Sequence, residues 1–317
     1  MRKVLLPVLA LFLLGGCISQ GTAELSNWPD GHSSAVAITF ETEQATGDQL
    51  QSLVTLLEEK GAKATFFVIA GYYENNPKDL DPLKESEVAN MGWYQTNWDR
   101  VSLPFGFQSG EVKKAHEWLT DAGFEVTGFR APFLKNNPAT YEVIKELGYA
   151  YDSSEYYGFS PYMVGNIVEI PLSVNYDLYW DTSSAEVSTL PAYIAFQKSH
   201  EEAGLFTFYG HASTTSEQIA GFEELLDFVR EKNVWFATGS EVADWWVKKE
   251  GLEVKTEGTA VMVKNNGDES VSGATLRVEG SWNAVGAVDI KKDGDFTYIV
   301  VPDIDAGATV AVGLKKR

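Results

Sequence analysis

The chain has 317 residues, 44% of them hydrophobic, which is enough for one full hydrophobic core and a second, smaller domain. Its 25 lysines and arginines against 45 aspartates and glutamates give a formal charge of −20. Such a surface repels nucleic acid and anionic lipid headgroups, so we expect no nucleic-acid partner and interpret the acidity as a solvated surface.

The N-terminus is typical of an export signal. Arg2 and Lys3 precede an apolar run, Val4 to Leu14, that is too short to cross a bilayer. Two glycines and Cys17, the sole cysteine of the chain, follow this run and resemble the lipobox of prokaryotic lipoproteins. We therefore predict a lipoprotein signal peptide over residues 1–17 with a lipidated Cys17. The alternative is a cleaved secretory signal with an incidental cysteine.

Residues 18–32 are rich in Ser, Gln, Gly, Thr and Pro, and this composition predicts a tether. Two acyl chains would hold the protein stably on a membrane. We expect a location on the extracytoplasmic face of the cell membrane, with the lipid as the only membrane contact. The sequence does not predict the oligomeric state.

The first predicted strand, Ala35 to Glu43, is an apolar run that ends in two carboxylates separated by one threonine. Leucines at helical spacing then predict a helix over 48–60, and Gly61 is a stop signal. The apolar run 64–70 predicts a strand that is covered on both faces. Strand, helix and strand within this length form a βαβ unit, which favours a parallel sheet.

The alternation continues to residue 250. Further helices are predicted at 82–89, 111–122, 138–147, 190–203, 216–232 and 240–249. Further strands are predicted to end at 93–96 and to span 126–130, 149–152, 166–172, 205–209 and 234–237. About seven such pairs predict an α/β fold, a distorted (β/α)7-type barrel over 33–250.

From Gly251 onward the pattern changes to short alternating runs with hairpin signals such as NNGDE and KKDGDF. We predict a small all-β domain over 251–317, an immunoglobulin-like β-sandwich. It could bind sugar through Trp282 or Tyr298, but a packing or spacer role is the simpler interpretation.

Reactive side chains lie at or just beyond the ends of the predicted strands. In parallel strands these ends share one edge of the sheet, so the side chains are expected to share one pocket. The candidates at this stage are Glu41, Glu43, Gln95 to Asp99, Arg130, Asp152 and His211.

Residues 35–249 resemble the polysaccharide deacetylase family, also called carbohydrate esterase family 4. The family opens with Thr, Phe, Asp, Asp, Gly, and here Thr39 and Phe40 are followed by Glu41, Thr42 and Glu43. The other segments that carry the resemblance are GAKATFFVIAG (61–71), GFRAPF (128–133), YDSS (151–154), the late His211, and FATGSEVADWW (236–246). The resemblance implies the barrel of this family and removal of acetyl groups from a glycan.

In such enzymes, one Asp and two His hold a divalent metal that binds a water and polarises the acetyl carbonyl. The resemblance implies Glu41 as the general base and His211 as the general acid. It implies Arg130 as the partner that keeps the base ionised, and the Phe133 N–H as the oxyanion donor. Asp152, at the next strand end, joins these catalytic candidates. Tyr94, Trp98 and Phe133 are candidate sugar-stacking residues.

The metal set is where this sequence departs from the family. The expected ligands align with Thr42, Gln95 and Asp99, and a hydroxyl and an amide are poor zinc ligands. Glu41, Glu43 and Asp99 could instead form an all-oxygen site, so Mg²⁺, Ca²⁺ or Mn²⁺ is a better candidate than Zn²⁺, and no metal is the alternative. The chain is thus either a hydrolase of an N-acetyl or other non-peptide amide bond, or a catalytically silent carbohydrate-binding lipoprotein. A purely structural envelope protein is a third hypothesis.

Overall fold

A computed structural model describes residues 22–97, 105–176, 180–181, 186–187 and 189–317. The predicted signal peptide with Cys17 lies outside the described residues, as do Trp98 and Asp99. None of the helices in the described part of the chain has the length and apolar composition needed to cross a bilayer.

The first half of the chain alternates strands and helices. The elements are β1 (Ala23–Leu25), β2 (Ser34–Glu41), α1 (Gly47–Lys60), β3 (Ala64–Val68), β4 (Glu87–Asn90), α2 (Phe105–Asp121), β5 (Gly128–Phe129), α3 (Pro138–Glu146), β6 (Tyr151–Asp152), β7 (Tyr162–Val164), β8 (Ile167–Glu169) and β9 (Val174–Asn175). Short 3₁₀ helices span Ala70–Tyr72, Pro77–Leu83 and Pro132–Leu134.

The second half begins with the same alternation and ends in strands alone. The elements are β10 (Trp180–Asp181), β11 (Glu186–Val187), α4 (Leu190–Glu201), β12 (Leu205–His211), α5 (Ala212–Glu217), α6 (Ile219–Arg230), β13 (Val234–Phe236), α7 (Gly239–Glu250), β14 (Leu252–Glu257), β15 (Ala260–Asn265), β16 (Thr275–Glu279), β17 (Trp282–Val285), β18 (Asp289–Asp293), β19 (Phe296–Val300) and β20 (Thr309–Lys316).

The first βαβ unit forms for local reasons that the sequence carries. Thr46 caps α1 in a reciprocal pair with Gln49, and Gly61 ends the helix in the left-handed conformation with φ of 64°. All eight residues of β2 and all five of β3 are buried, as expected for parallel strands covered on both faces.

The main sheet of the described residues has ten strands and is almost entirely parallel. The strand order is β7-β8-β6-β5-β4-β3-β2-β12-β9. The tenth strand, β13, pairs with residues 34–36 at the start of β2, whereas β3 pairs with residues 38–41 at its end. Only β7 runs antiparallel to its neighbour. In the described residues β7 and β9 are the edges and do not pair with each other, so the sheet is open.

These observations confirm the α/β class and correct two predictions. Over the residues that the structure describes, the barrel is not closed, because β7 folds back on β8 and the opposite edge, β9, is only two residues long. The helix predicted over 82–89 is wrong, because Val88 and Ala89 are buried in β4 between β3 and β5 and pair there as a strand.

The C-terminal region is all-β, as predicted, and forms two four-stranded sheets, β1-β16-β19-β18 and β14-β15-β20-β17. Val261 and Val312 of one sheet share a hydrophobic cluster with Leu276 and Ile299 of the other. The immunoglobulin-like assignment of this region stays a prediction. Trp282 and Tyr298 are buried, which agrees with the packing role rather than a sugar-binding one.

The predicted tether over 18–32 is wrong from Ala23 onward. Residues 23–25 form β1 and pair antiparallel with β16 of the C-terminal region. Trp28 is fully buried, lies 5.9 Å from the ring of Trp246, and donates its indole N–H to the carbonyl of Ala203 at 2.8 Å. This apolar anchor fixes the segment between the two parts of the molecule, which a composition-based prediction does not detect.

Candidate active site

The register of the two central strands brings a carboxylate and an imidazole together. Leu205 to His211 of β12 pair in parallel with Ala35 to Glu41 of β2, so Glu41 and His211 are the last partners of the ladder. Their side chains meet with His211 Nε2 at 3.4 Å from Glu41 Oε2. The structure therefore brings these two residues together at one edge of the sheet, as predicted.

Glu43 joins this pair even though β2 ends at Glu41. Its Oε2 lies 3.0 Å from His211 Nε2, and its Oε1 accepts a hydrogen bond of 2.6 Å from Gln95 Nε2. Glu41 and Glu43 are both buried, whereas the His211 side chain is 32% exposed and opens the cluster to solvent. Each of the three residues offers one atom that could bind a metal ion, and these three atoms lie within 4.8 Å of one another.

Arg130 lies behind Glu41 and is fully buried. Its Nε donates to the carbonyl of Ser153 at 2.8 Å, and its Nη2 donates to Thr39 Oγ1 at 2.9 Å. Its Nη1 is 3.8 Å from Glu41 Oε1, and within the described residues neither of these two atoms has a hydrogen-bond partner. The guanidinium also lies 3.9 Å from the ring of Phe67, which gives it a cation–π contact.

Arg130 lowers the pKa of Glu41, the direction expected from the sequence, but burial has the larger effect. Burial raises the pKa of Glu41 to about 7, and the attraction of Arg130 opposes this rise without cancelling it. The sequence correctly indicated that Arg130 lies beside Glu41, but it did not show that Glu41 is buried.

Asp152 is not brought to the cluster. It is buried at the end of β6, where it accepts hydrogen bonds from Ser154 Oγ at 2.8 Å and Asn136 Nδ2 at 3.3 Å. Its pairing partner in β8 is Glu169, another buried carboxylate. Burial raises the pKa of both residues, that of Asp152 to about 6. This arrangement is a structural carboxyl pair, one strand beyond Arg130.

The remaining candidates lie at the surface. Phe133 is 50% exposed and has φ of 58° and ψ of 14°, a left-handed conformation that is uncommon for a residue with a Cβ. Tyr94 is 60% exposed, and its backbone N–H donates to Glu111 Oε2 at 3.0 Å. Both are open to a ligand, as a stacking residue must be.

The family's zinc site does not fit the described residues. Thr42 is fully buried, and its hydroxyl points to the carbonyl of Phe67 at 3.3 Å. Gln95 uses its amide nitrogen on Glu43 and presents no imidazole. The third aligned position, Asp99, is outside the described residues. We derive no catalytic step through a metal at this position.

Sequence reasoning missed the layer beneath the cluster. Thr39 and Tyr209 are paired in the β2–β12 ladder, two residues before Glu41 and His211. The ring of Tyr209 lies 5.8 Å from that of His211 and 5.1 Å from the guanidinium of Arg130. Because residues two apart in a strand share a face, the spacing was a usable signal.

Comparison with known proteins places the fold. Residues 29–151 match the family model described as polysaccharide deacetylase. A search of curated proteins gives no match.

Several solved structures have a similar fold. A Mycobacterium smegmatis protein named as a polysaccharide deacetylase has a TM-score of 0.62 at 22% identity, over 70% of this chain and 93% of the other. An allantoinase named PuuE has a TM-score of 0.61 at 14% identity, over 70% and 93%. A mutant of a Bacillus anthracis carbohydrate esterase family 4 pseudoenzyme, described as having restored activity, has a TM-score of 0.50 at 15% identity, over 67% and 68%.

At these identities the structural likeness establishes the fold alone. The family model covers the segment that contains Glu41, Thr42 and Arg130. Over residues 29–151, therefore, the chain is similar to the polysaccharide deacetylase family.

Proposed function

We propose that this protein hydrolyses an N-acetyl or related amide bond on a glycan, with Glu41 as general base and His211 as general acid. The observation that supports the proposal is the in-register meeting of these two side chains, 3.4 Å apart, at the ends of neighbouring parallel strands. A base and an acid that exchange protons with one substrate must lie within reach of the same bond.

In the proposed reaction, Glu41 takes a proton from a water whose oxygen attacks the acetyl carbonyl carbon. The exposed Phe133 would direct its backbone N–H at the oxyanion that develops. His211 then gives its proton to the amide nitrogen, the C–N bond breaks, and acetate and a free amine leave. A protonated His211 would be held by ion pairs with Glu41 and Glu43 before substrate binds.

Acetate release is the test of this proposal. We expect the purified protein to release acetate from N-acetylated chitooligosaccharide or peptidoglycan, and Glu41→Gln to remove most of that activity, about a hundredfold or more. A small amide such as allantoin belongs in the same screen, because the fold is shared with an allantoinase. Release by Glu41→Gln at the wild-type rate would rule out Glu41 as the base.

A catalytically silent glycan-binding protein is the second candidate. The supporting observation is that Gln95 is hydrogen-bonded to Glu43 and Thr42 is directed at Phe67, so two positions of the family's metal set serve packing instead. This candidate predicts glycan binding in calorimetry without acetate release. It also predicts that the combined change Thr42→Asp, Gln95→His and Asp99→His introduces activity.

For localisation, we propose a lipid anchor at Cys17 on the extracytoplasmic face of the membrane, with a glycan as the partner and the lipid as the only membrane contact. The N-terminal sequence supports this proposal. We expect the Cys17→Ser protein to move from the membrane fraction to the soluble fraction. Retention of this variant in the membrane fraction would contradict the anchor.

A further inference from the structure

The structure assigns a second property to the cluster of Glu41, Glu43 and His211: we propose that it binds one divalent transition-metal ion, with Mn²⁺ as the best match. This ligand set differs from the aspartate and two histidines that the family resemblance implies, and from the all-oxygen set expected from the sequence. The inference uses two residues of the proposed hydrolysis but does not depend on it.

The distances match those around a single ion. Metal bonds of about 2.1 Å at octahedral or tetrahedral angles place neighbouring ligand atoms about 3.0–3.4 Å apart. His211 Nε2 lies 3.0 Å from Glu43 Oε2 and 3.4 Å from Glu41 Oε2. The three side chains therefore need little movement to bind the same ion.

An unpaired buried oxygen points to the same conclusion. Glu41 is 2% exposed, and its Oε1 has no hydrogen-bond partner among the described residues. Arg130 Nη1 is 3.8 Å away, which is too long for a hydrogen bond. Arg130 therefore does not satisfy this oxygen, and a buried charge without a close partner is costly. A divalent cation would supply the missing positive charge.

The surroundings suit a bound ion. Gln95 Nε2 holds Glu43 Oε1, which leaves Oε2 directed at His211. Hydrogen bonds of this kind orient ligand carboxylates in metal sites. The His211 side chain is 32% exposed, so water can complete the coordination sphere. One nitrogen and two carboxylates suit Mn²⁺ better than Mg²⁺ or Ca²⁺, which prefer oxygen alone.

A metal ion bound at this cluster would change the chemistry of His211. A ring nitrogen whose lone pair is bound to a metal cannot carry a proton at the same time. Mn²⁺ on His211 Nε2 therefore removes the proposed general acid. We expect added Mn²⁺ to lower acetate release and a chelator to restore it.

The decisive experiment is a Mn²⁺ titration followed by electron paramagnetic resonance, without substrate. We expect one Mn²⁺ per wild-type chain and at least about tenfold weaker binding in Glu43→Gln, which removes a ligand charge but keeps the shape. Glu74→Gln, an exposed residue outside the cluster, is the matched control for loss of one negative charge and should bind as wild type.

Weaker binding confined to the cluster variant supports the site. Equal binding by wild type and Glu43→Gln, or equal weakening by Glu74→Gln, would overturn it. His211→Gln is the second ligand variant, and thermal melting shows which variants are folded. Because the titration needs no turnover, failure of the metal site and failure of the proposed hydrolysis are distinguishable.

Discussion

Arg130 is held beneath the site by Thr39, a residue of the opening motif to which the sequence assigned no role. Thr39 Oγ1 accepts a hydrogen bond from Arg130 Nη2 at 2.9 Å and donates one to the carbonyl of Phe208 at 2.7 Å. All three groups are buried, so loss of the hydroxyl leaves a charged donor and a carbonyl without that partner.

Thr39→Val is therefore expected to lower the free energy of unfolding by about 1–3 kcal/mol, measured by urea denaturation. Thr207→Val is the matched control. It is a buried threonine on the neighbouring strand whose hydroxyl has no hydrogen-bond partner in the described residues. Its replacement should be neutral or stabilising. Equal losses in the two variants would mean that the Arg130 contact is unimportant.

The carboxyl pair of Asp152 and Glu169 predicts a pH dependence of stability. Burial raises the pKa of Asp152 to about 6, and the pKa of Glu169 is raised by burial and by the charge of Asp152. Unfolded aspartate titrates near pH ~3.9, so the folded state holds a proton that the unfolded state releases between these values. The resulting stabilisation is complete below the unfolded pKa and is lost as pH rises through about 6.

We expect the free energy of unfolding to fall between about pH 5 and pH 7.5, and to fall less in Asp152→Asn by roughly 1–2 kcal/mol. Urea titrations at both pH values measure this difference. If the free energy of unfolding fell equally in the two proteins, the pH dependence would not come from Asp152.

At the scale of single residues, the sequence predicts which side chains gather but not their protonation. Glu41 and His211 were identifiable because each ends an apolar strand. The rise in the pKa of Glu41 was not, because it depends on burial, to which residues distant in the chain contribute, such as Phe67, the partner of Glu41 in the β2–β3 ladder.

Among the elements, β5 shows how tightly the strand that carries Arg130 is packed. A Cβ added to Gly128 would lie 2.0 Å from Cζ of the Tyr151 ring, which lies on the neighbouring strand β6. This ring is fully buried and cannot move aside without disturbing the core.

Gly128→Ala is therefore expected to destabilise the protein by about 1–3 kcal/mol or more, and to reduce any activity because Arg130 is two residues away. Gly110→Ala is the control. Gly110 is an exposed position inside α2 with no atom within 4 Å of the added Cβ, and the change should stabilise the helix by about 0.5–1 kcal/mol. Thermal melting of both variants tests these opposite effects. Equal shifts in melting temperature would contradict the prediction.

The elements that were predicted well carry local signals. The helix predicted over 48–60 is observed as Gly47–Lys60, because its cap, its leucine spacing and Gly61 all lie within one segment. The segment 82–89 failed because β4 is stabilised by pairing on both sides, and strand pairing is not encoded locally. The open sheet was missed for the same reason.

At the scale of the whole molecule, the N-terminal segment and the C-terminal region are packed against the α/β part. Trp28 contacts Trp246 of α7, and Asn27 accepts a hydrogen bond from Trp245 Nε1 at 2.7 Å through its carbonyl. One hydrophobic cluster includes Trp28, Trp246 and Val263 of the C-terminal region. The two regions are thus expected to unfold together.

Trp28→Ala should lower the free energy of unfolding by about 3–5 kcal/mol, because a fully buried indole is replaced by a cavity. Calorimetry of the wild-type protein should give a single transition. Two separate transitions, with only one shifted in the variant, would show that the C-terminal region folds independently.

The central claim is that Glu41 and His211 act as base and acid on one amide bond. Its most direct test is acetate release from N-acetylated chitooligosaccharide by chelator-treated wild-type and His211→Ala proteins. We predict release by the wild type and a loss of about 10²–10⁴-fold in the variant. Equal release by both proteins, or no release by the wild type from any acetylated substrate in the screen, would contradict the account.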